Sequence, residues 1–390
     1  MRQIAKSPVL AVFKMADFDP SNVNLDTTSP VDIICYLSKS SNDYNGQLGA
    51  RLSAIFVILV TSGLATFFPV LASRVERLRI NLYVYYFARY FGAGVIIATA
   101  FIHLLDPAYA EIGPQTCVGM TGAWADYAWC PAIVMISIML VFLMDFGAER
   151  WVEHRYGFLH PHPNIEAVVT SRSRPNGTHD QVPAGDQDMT LQKVGNGATN
   201  RQAWTDNDEK DPENVSLAPS TERMQDRLFQ QQIAAFLVLE FGVVFHSVII
   251  GLNLGTTGEE FKTLYPVLVF HQAFEGLGIG ARMSAIPFPK GVHWLPWALC
   301  LSYTLTTPIA IAVGLGLRTT YNAGSFTASV VSGVLDATSA GILIYTGLVE
   351  LLARDFLFNS EPTRDSKRLT FMVACVFLGV AIMALLGKWA

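Results

Sequence analysis

Residues 265–283 read YPVLVFHQAFEGLGIGARM. Apolar side chains dominate the segment, and its glycines suit close helix packing, yet it carries His271, Gln272 and Glu275. His271 and Glu275 are four residues apart, so on a helix they share one face and can bind one ion together. An ionisable side chain inside a membrane helix costs ~2.5–3.5 kcal/mol on insertion scales, so such groups line a pathway or meet a partner.

The whole chain has the same character. Of its 390 residues, 51% are hydrophobic and 15% charged. A soluble protein could not cover that much apolar surface. Apolar windows close to the ~20 residues that cross a bilayer recur along it. They predict an all-α polytopic membrane protein with eight transmembrane helices, at 52–73, 83–105, 129–147, 229–254, 263–281, 294–317, 327–352 and 369–388. The second, fourth and fifth contain polar residues that a plain hydropathy threshold penalises. Lys and Arg gather in the odd-numbered connections, for example Arg74, Arg77 and Arg79, or Arg354, Arg364, Lys367 and Arg368. By the positive-inside rule these connections are cytoplasmic and both termini face outside.

The organisation follows. Residues 1–50 form an outward N-terminal segment, 51–153 hold helices 1–3, 154–226 a cytoplasmic loop and 227–390 helices 4–8. The loop, with RSRPNGTHDQVPAGDQD and TDNDEKDPEN, has too little apolar content to fold alone. It contains sequons at Asn176 and Asn214, which a cytoplasmic location leaves unmodified. It opens with His154, His160 and His162, either a loose metal-loading tail or three solvated side chains. Pro161 and Pro163 prevent a helix from organising them. Cys117 and Cys130 fall in or beside the second connection and are the candidate disulfide, while Cys35 has no evident partner and Cys300 and Cys375 read as packing residues. A net charge of −5 argues against nucleic acid as a partner.

The fourth segment supplies the match to His271. It reads EFGVVFHSVIIGLNLG, residues 240–255, with His246 and Ser247 at mid-helix. One buried histidine is ordinarily a satisfied core residue. Two on neighbouring spans, one with a carboxylate at helical spacing, point instead to a metal site, and imidazole with carboxylate suits Zn²⁺ or Fe²⁺ better than Mg²⁺ or Ca²⁺. His103 and Asp106, three apart at the outward end of the second segment, read as an entrance site, with Asp106 otherwise an end group before Pro107. Glu240 reads equally as an exit ligand or a paired helix-end charge. Pro308 interrupts the sixth helix's hydrogen bonds, leaving Thr306 and Thr307 to satisfy freed carbonyls or face a pathway. Asp336 either faces the pathway or sits near the outward interface, and Glu350 is placed as a boundary residue.

At HSVIIGLNLG (246–255) and HQAFEGLGIGARM (271–283), supported by FGAGVIIATAFIHLLDPA (91–108) and SAGILIYT (339–346), the chain resembles the ZIP family of zinc- and iron-regulated transporters, in its fungal and plant form. The resemblance covers about 51–153 and 227–390. It implies an importer that carries divalent cations into the cytosol by alternating access. The pathway would lie among spans two, four, five and seven, which would shift against the remainder. It also implies a plasma-membrane location and a homodimer. By position, His246, His271 and Glu275 would form the principal site, with Ser247 and Gln272 bordering a second one. Ile250, Gln272 and Thr307 stand where two-metal members carry carboxylates, so one ion is expected at the centre. No resident cofactor is implied. Zn²⁺ is the expected cargo, with Fe²⁺ or Mn²⁺ as alternatives. Two other classes are an intramembrane zinc hydrolase, which fits less well because HExxH is absent, and a metal-sensing receptor with 154–226 as its signalling segment; the absence of a phosphate loop argues against an ATP motor.

Overall fold

The computed structural model describes residues 23–24, 28–37, 44–75, 81–156, 220–320, 322, 324–357 and 365–389. The sequons at Asn176 and Asn214, together with His160 and His162, lie outside the described residues. The described part is helical, with no strand among the described residues. Its helices are α1 (Pro30–Leu37), α2 (Leu48–Arg74), α3 (Leu82–Ile112), α4 (Trp129–Tyr156), α5 (Ser220–Thr256), α6 (Phe261–Ala285), α7 (Leu295–Leu317), α8 (Phe326–Phe356) and α9 (Ser366–Leu386). Every segment predicted from hydropathy is a helix.

Seven of the helices are long and apolar enough to cross a membrane, α2 through α5 and α7 through α9. The protein is therefore a polytopic membrane protein. The exception among the eight long helices is α6, whose 25 residues have the length but include His271, Gln272 and Glu275. The same three polar groups that lower its hydropathy are buried.

The long helices pack as two groups of four. One contains α2, α5, α6 and α7, the other α3, α4, α8 and α9. Each has apolar packing of its own. Ala54, Ile58, Leu254, Leu268 and Ile311 form a core in the first, and Phe91, Val95, Cys375 and Val376 join α3 to α9 in the second. The groups meet where α3 crosses α6, at Gly92 against Gly278, and where α5 lies along α8. A Cβ on Gly92 would collide with the Gly278 backbone, so this crossing requires small residues, as close membrane-helix contacts do. This division differs from the expected movement of spans two, four, five and seven together: those helices come from both groups and meet across the seam.

Arg51 anchors the first group. It is completely buried. Its guanidinium donates to the carbonyls of Leu254 at 2.8 Å and Gly255 at 3.3 Å, and to that of Thr257. Leu254 and Gly255 are among the last residues of α5, whose carbonyls its end leaves without helical partners. The same group donates to Asn45 Oδ1 at 3.2 Å and lies over the Phe261 ring at 4.5 Å. One side chain thus ties together the starts of α2 and α6 and the end of α5.

The expected Cys117–Cys130 pairing is replaced by a disulfide between Cys35 and Cys117. Cys130 is instead a free thiol buried at the start of α4 within the apolar core, whereas α1 brings Cys35 to the loop that carries Cys117. Cys300 and Cys375 are also free and buried, in keeping with packing roles. In solubilised, unreduced protein, Cys117 should resist maleimide in the parent and become labelled in Cys35→Ser. It should stay unlabelled in Cys130→Ser; labelling there would restore the original pairing.

Candidate metal site

α5 and α6 bring two imidazoles together through their Nε2 atoms, the rings tilted by 37°. His246 Nε2 on α5 lies 3.3 Å from His271 Nε2 on α6. Two ligands each ~2.0–2.1 Å from a tetrahedral zinc stand about 3.3–3.4 Å apart, so one ion between these nitrogens needs no change in their separation. His271 Nε2 is 3.9 Å from Glu275 Oε2, slightly more than that tetrahedral edge. Among the described residues, no three of His, Cys, Asp and Glu are already gathered in ion-holding geometry. Capture therefore requires the Glu275 carboxylate to swing a few tenths of an ångström or more toward the pair. Its Oε1 is buried without a hydrogen-bond partner, as is His246 Nδ1.

The remaining sequence candidates divide into a wall and a buried flank. His103 stands edge-on to His271, ring centres 4.8 Å apart, and its Nε2 lies 3.2 Å from the Met383 carbonyl. It falls in a π-helical stretch, Thr99–Leu105, inside α3. Pro107 follows and has no N–H for the His103 carbonyl; π-turns of this kind recur at functional sites. Ser247 is buried with its hydroxyl unpartnered. Gln272 Oε1 accepts from Thr307 at 3.0 Å, leaving its Nε2 buried and unpartnered. A hydroxyl can donate or accept, so turning the amide over would keep the Thr307 contact and present an oxygen instead. Thr307 thus points toward the site, while Thr306 donates to the Ser302 carbonyl.

A cavity of about 970 Å³ leads to these imidazoles. It lies between the two helix groups. His246, Asn253, Leu264 and His271 form one wall; His103, Asp106, Asp336 and Lys388 form the other. Its rim reaches the exposed Glu259 and Glu260. Hydrogen bonds from Lys262 and then Asn45, with the Lys262 charge, hold Glu259 below the usual carboxylate range, so the rim stays anionic. Asp336 is buried and faces this pathway rather than an outer interface.

Glu240, Ser247, Gln272 and Glu275 do not line the cavity. Glu240 is neither a paired end charge nor in contact with a partner: both its oxygens are buried and unpartnered. His154 is exposed near the end of α4 and takes no part in the site.

Sequence reasoning placed Glu350 at a boundary and overlooked its partners. Its carboxylate is buried, 2.6 Å from Arg354 and 3.7 Å from Arg282 on α6. The second contact joins one helix group to the other. Nearby, Arg89 donates to Asp355 from Nη2, to both carboxylate oxygens at 2.8 Å, and from Nε at 3.1 Å. Reading i, i+4 positions around Arg354 exposes Glu350; nothing local in the sequence reveals Arg282.

These features define a helical membrane protein with a buried imidazole–carboxylate site reached through an acidic cavity. The family model described as "ZIP Zinc transporter" matches residues 48–387. The chain is 54% identical to "Zinc-regulated transporter 1" of Saccharomyces cerevisiae, over 96% of this chain and 97% of that protein. It is 40% identical to "Zinc-regulated transporter 1" of Schizosaccharomyces pombe, over 94% and 92%, and 37% identical to "Zinc-regulated transporter 2" of S. cerevisiae, over 90% and 97%. The chain belongs to the ZIP zinc transporter family. That family consists of transporters and not enzymes, which sets the hydrolase reading aside.

Proposed function

We propose that the protein imports Zn²⁺ into the cytosol by alternating access, binding one ion at His246, His271 and Glu275. The observation that carries this reading is the end of the acidic cavity at two imidazole nitrogens set 3.3 Å apart. The relatives named for zinc favour that ion over Fe²⁺ and Mn²⁺, which the same ligands accept. Asp106, Glu111, Glu259, Glu260 and Asp336 outnumber Lys388 in the cavity and raise the local cation concentration. His103 and Asp106 act at the entrance, and Ser247 and Gln272 flank the bound ion. Glu240, deeper along α5, is the next ligand on the exit side.

The topology behind this reading has eight crossings, α6 included, with both termini and the acidic mouth outside at the plasma membrane. The Lys and Arg distribution supports it, and a Cys35–Cys117 disulfide suits an oxidising compartment. The connection between α4, which runs on to Tyr156, and α5, which already starts at Ser220 rather than after 226, is then cytoplasmic. Of the spans, α4 and α9 bury least of their surface, 28% each over their apolar windows. Lipid covers those faces, or a second copy in a homodimer.

The packing suggests how access alternates. With the ligands of one group facing the entrance wall of the other, a slide of α2, α5, α6 and α7 against the rest exposes the site alternately to the two sides. Arg282–Glu350 latches the inner end in the state described.

Three outcomes test the reading. Glu275→Ala should reduce zinc uptake to near background at normal surface abundance, and uptake at the parent rate ends the site assignment. Imidazole binds metal only when neutral, with a reference pKa of ~6.5, so affinity is present above that value and lost as pH falls through it. Uptake should therefore decline below about pH 6; a steady rise on acidification identifies a proton-driven cycle instead. Arg282→Gln should loosen the inner end. A cysteine replacing the buried Val243, in a background lacking the three free thiols, should then react faster with a cytoplasmic maleimide; an unchanged rate removes Arg282 from the gate.

A further inference from the structure

Tyr303 on α7 is completely buried, and nothing in the importer reading gives it a task. Its hydroxyl donates to the Gln272 main-chain carbonyl at 2.8 Å and lies 3.4 Å from Glu275 Oε2. No other side-chain hydrogen bond to the Glu275 carboxylate is present among the described residues. A phenol has one proton to donate, so it serves the nearer acceptor and has the carboxylate within reach of a small rotation.

The geometry points to Tyr303 as a positioning residue for ion capture, its hydroxyl moving between the Gln272 carbonyl and Glu275 Oε2 as the carboxylate turns toward the ion. This rests on the metal-site reading above. The donor holds Oε2 from the α7 side and leaves Oε1 free to ligate. Partners behind a metal ligand fix its orientation, and removing one typically lowers metal affinity about 10–100-fold. The carbonyl it leaves remains within a helical turn, where a shared or longer bond is tolerated better than an unsolvated carboxylate.

A second feature shows that the ring is given room. A Cβ at Gly276, the residue after Glu275, would stand 3.0 Å from Tyr303 Cε1 and would collide with Thr66 Oγ1. Glycine here lets the phenol lie against α6 beside the carboxylate. Thr307, four residues on along the same face of α7, holds Gln272 from the same direction. One helix that supplies none of the proposed ligands therefore sets the orientation of two side chains at the site.

The experiment compares Tyr303→Phe with the parent in zinc uptake at equal surface abundance, and in Co²⁺ titration of the purified, lipid-reconstituted protein. Tyr303→Phe should raise the KM for zinc about tenfold and weaken Co²⁺ binding to match, with maximal rate within about twofold. The ligand-field spectrum should be unchanged, because the ligands themselves remain. An unaltered KM, or a loss confined to maximal rate, overturns the proposal. His271→Ala and Glu275→Ala run alongside: if both keep parental uptake and the parental cobalt spectrum, the site reading fails instead. Should Tyr303→Phe not reach the membrane, Tyr303→His, which keeps a ring with a donor, must show a lower KM than Tyr303→Leu; equal values overturn the proposal.

Discussion

Two imidazole nitrogens held 3.3 Å apart between helices that are otherwise apolar set the terms for the rest of the molecule. Away from the cavity such an interior offers buried polar groups few partners, so each has to find one within the protein. His246 and His271 meet each other, and the Glu275 carboxylate is kept close by its own helix and by Tyr303. Among the buried polar atoms left without a partner, four are neighbours at the proposed site: His246 Nδ1, Ser247 Oγ, Gln272 Nε2 and Glu275 Oε1. Buried polar atoms are ordinarily hydrogen-bonded, and these four are the ones the proposed ion and its ligand shell would engage.

Holding that arrangement demands firm packing around it. Gly92 and Gly278 bring α3 against α6, and Arg51 fixes the C-terminal end of α5 to α2 and α6. The polar anchors are unevenly spread through this packing. The two groups of four helices are joined by a shared apolar core that includes Ile96, Val243, Ile279 and Leu343, by the small-residue crossing, by α5 along α8 and by the Arg282–Glu350 contact at the end away from the cavity. Most of the polar anchoring lies inside a group: Arg51 serves the first and Arg89–Asp355 the second. A seam closed mainly by apolar side chains, with few directional bonds across it, suits the proposed slide of one group against the other.

Much of this was legible in the residues. Apolar windows located every long helix, and the polar positions at 246, 271, 272 and 275 marked the centre because ionisable groups in such helices are costly. Periodicity reveals what shares a face of one helix, so His271 with Glu275 was readable, and His246 was paired with them by its mid-helix place on the neighbouring span and by the resemblance. Contacts between distant helices were not readable. Tyr303 looks like any apolar aromatic in its run, and Arg282 like an interfacial end charge; their roles depend on what α6 and α8 place opposite them. The cysteine pairing failed for a related reason. Cys130 is nearer Cys117 in the chain, but its helix turns it into the core, while the N-terminal segment delivers Cys35.

The choice of ligands bears on how the ion leaves. At the proposed site, two neutral imidazoles and one carboxylate around a divalent cation would leave a net charge of about +1 in a region of low dielectric, which is unfavourable to bury. A site meant to retain its metal would add a second thiolate or carboxylate, and here Ile250, Gln272 and Thr307 occupy the positions from which one could come. The deficit is compensated only in part by the acids of the cavity, which lie behind the ion once it has entered. Ahead of it on α5 is Glu240, buried with both oxygens free. A permeation site has to bind strongly enough to draw the ion in and weakly enough to release it. An under-neutralised cation with an unpartnered carboxylate farther along the same helix meets both conditions, and the residual charge favours onward movement over storage.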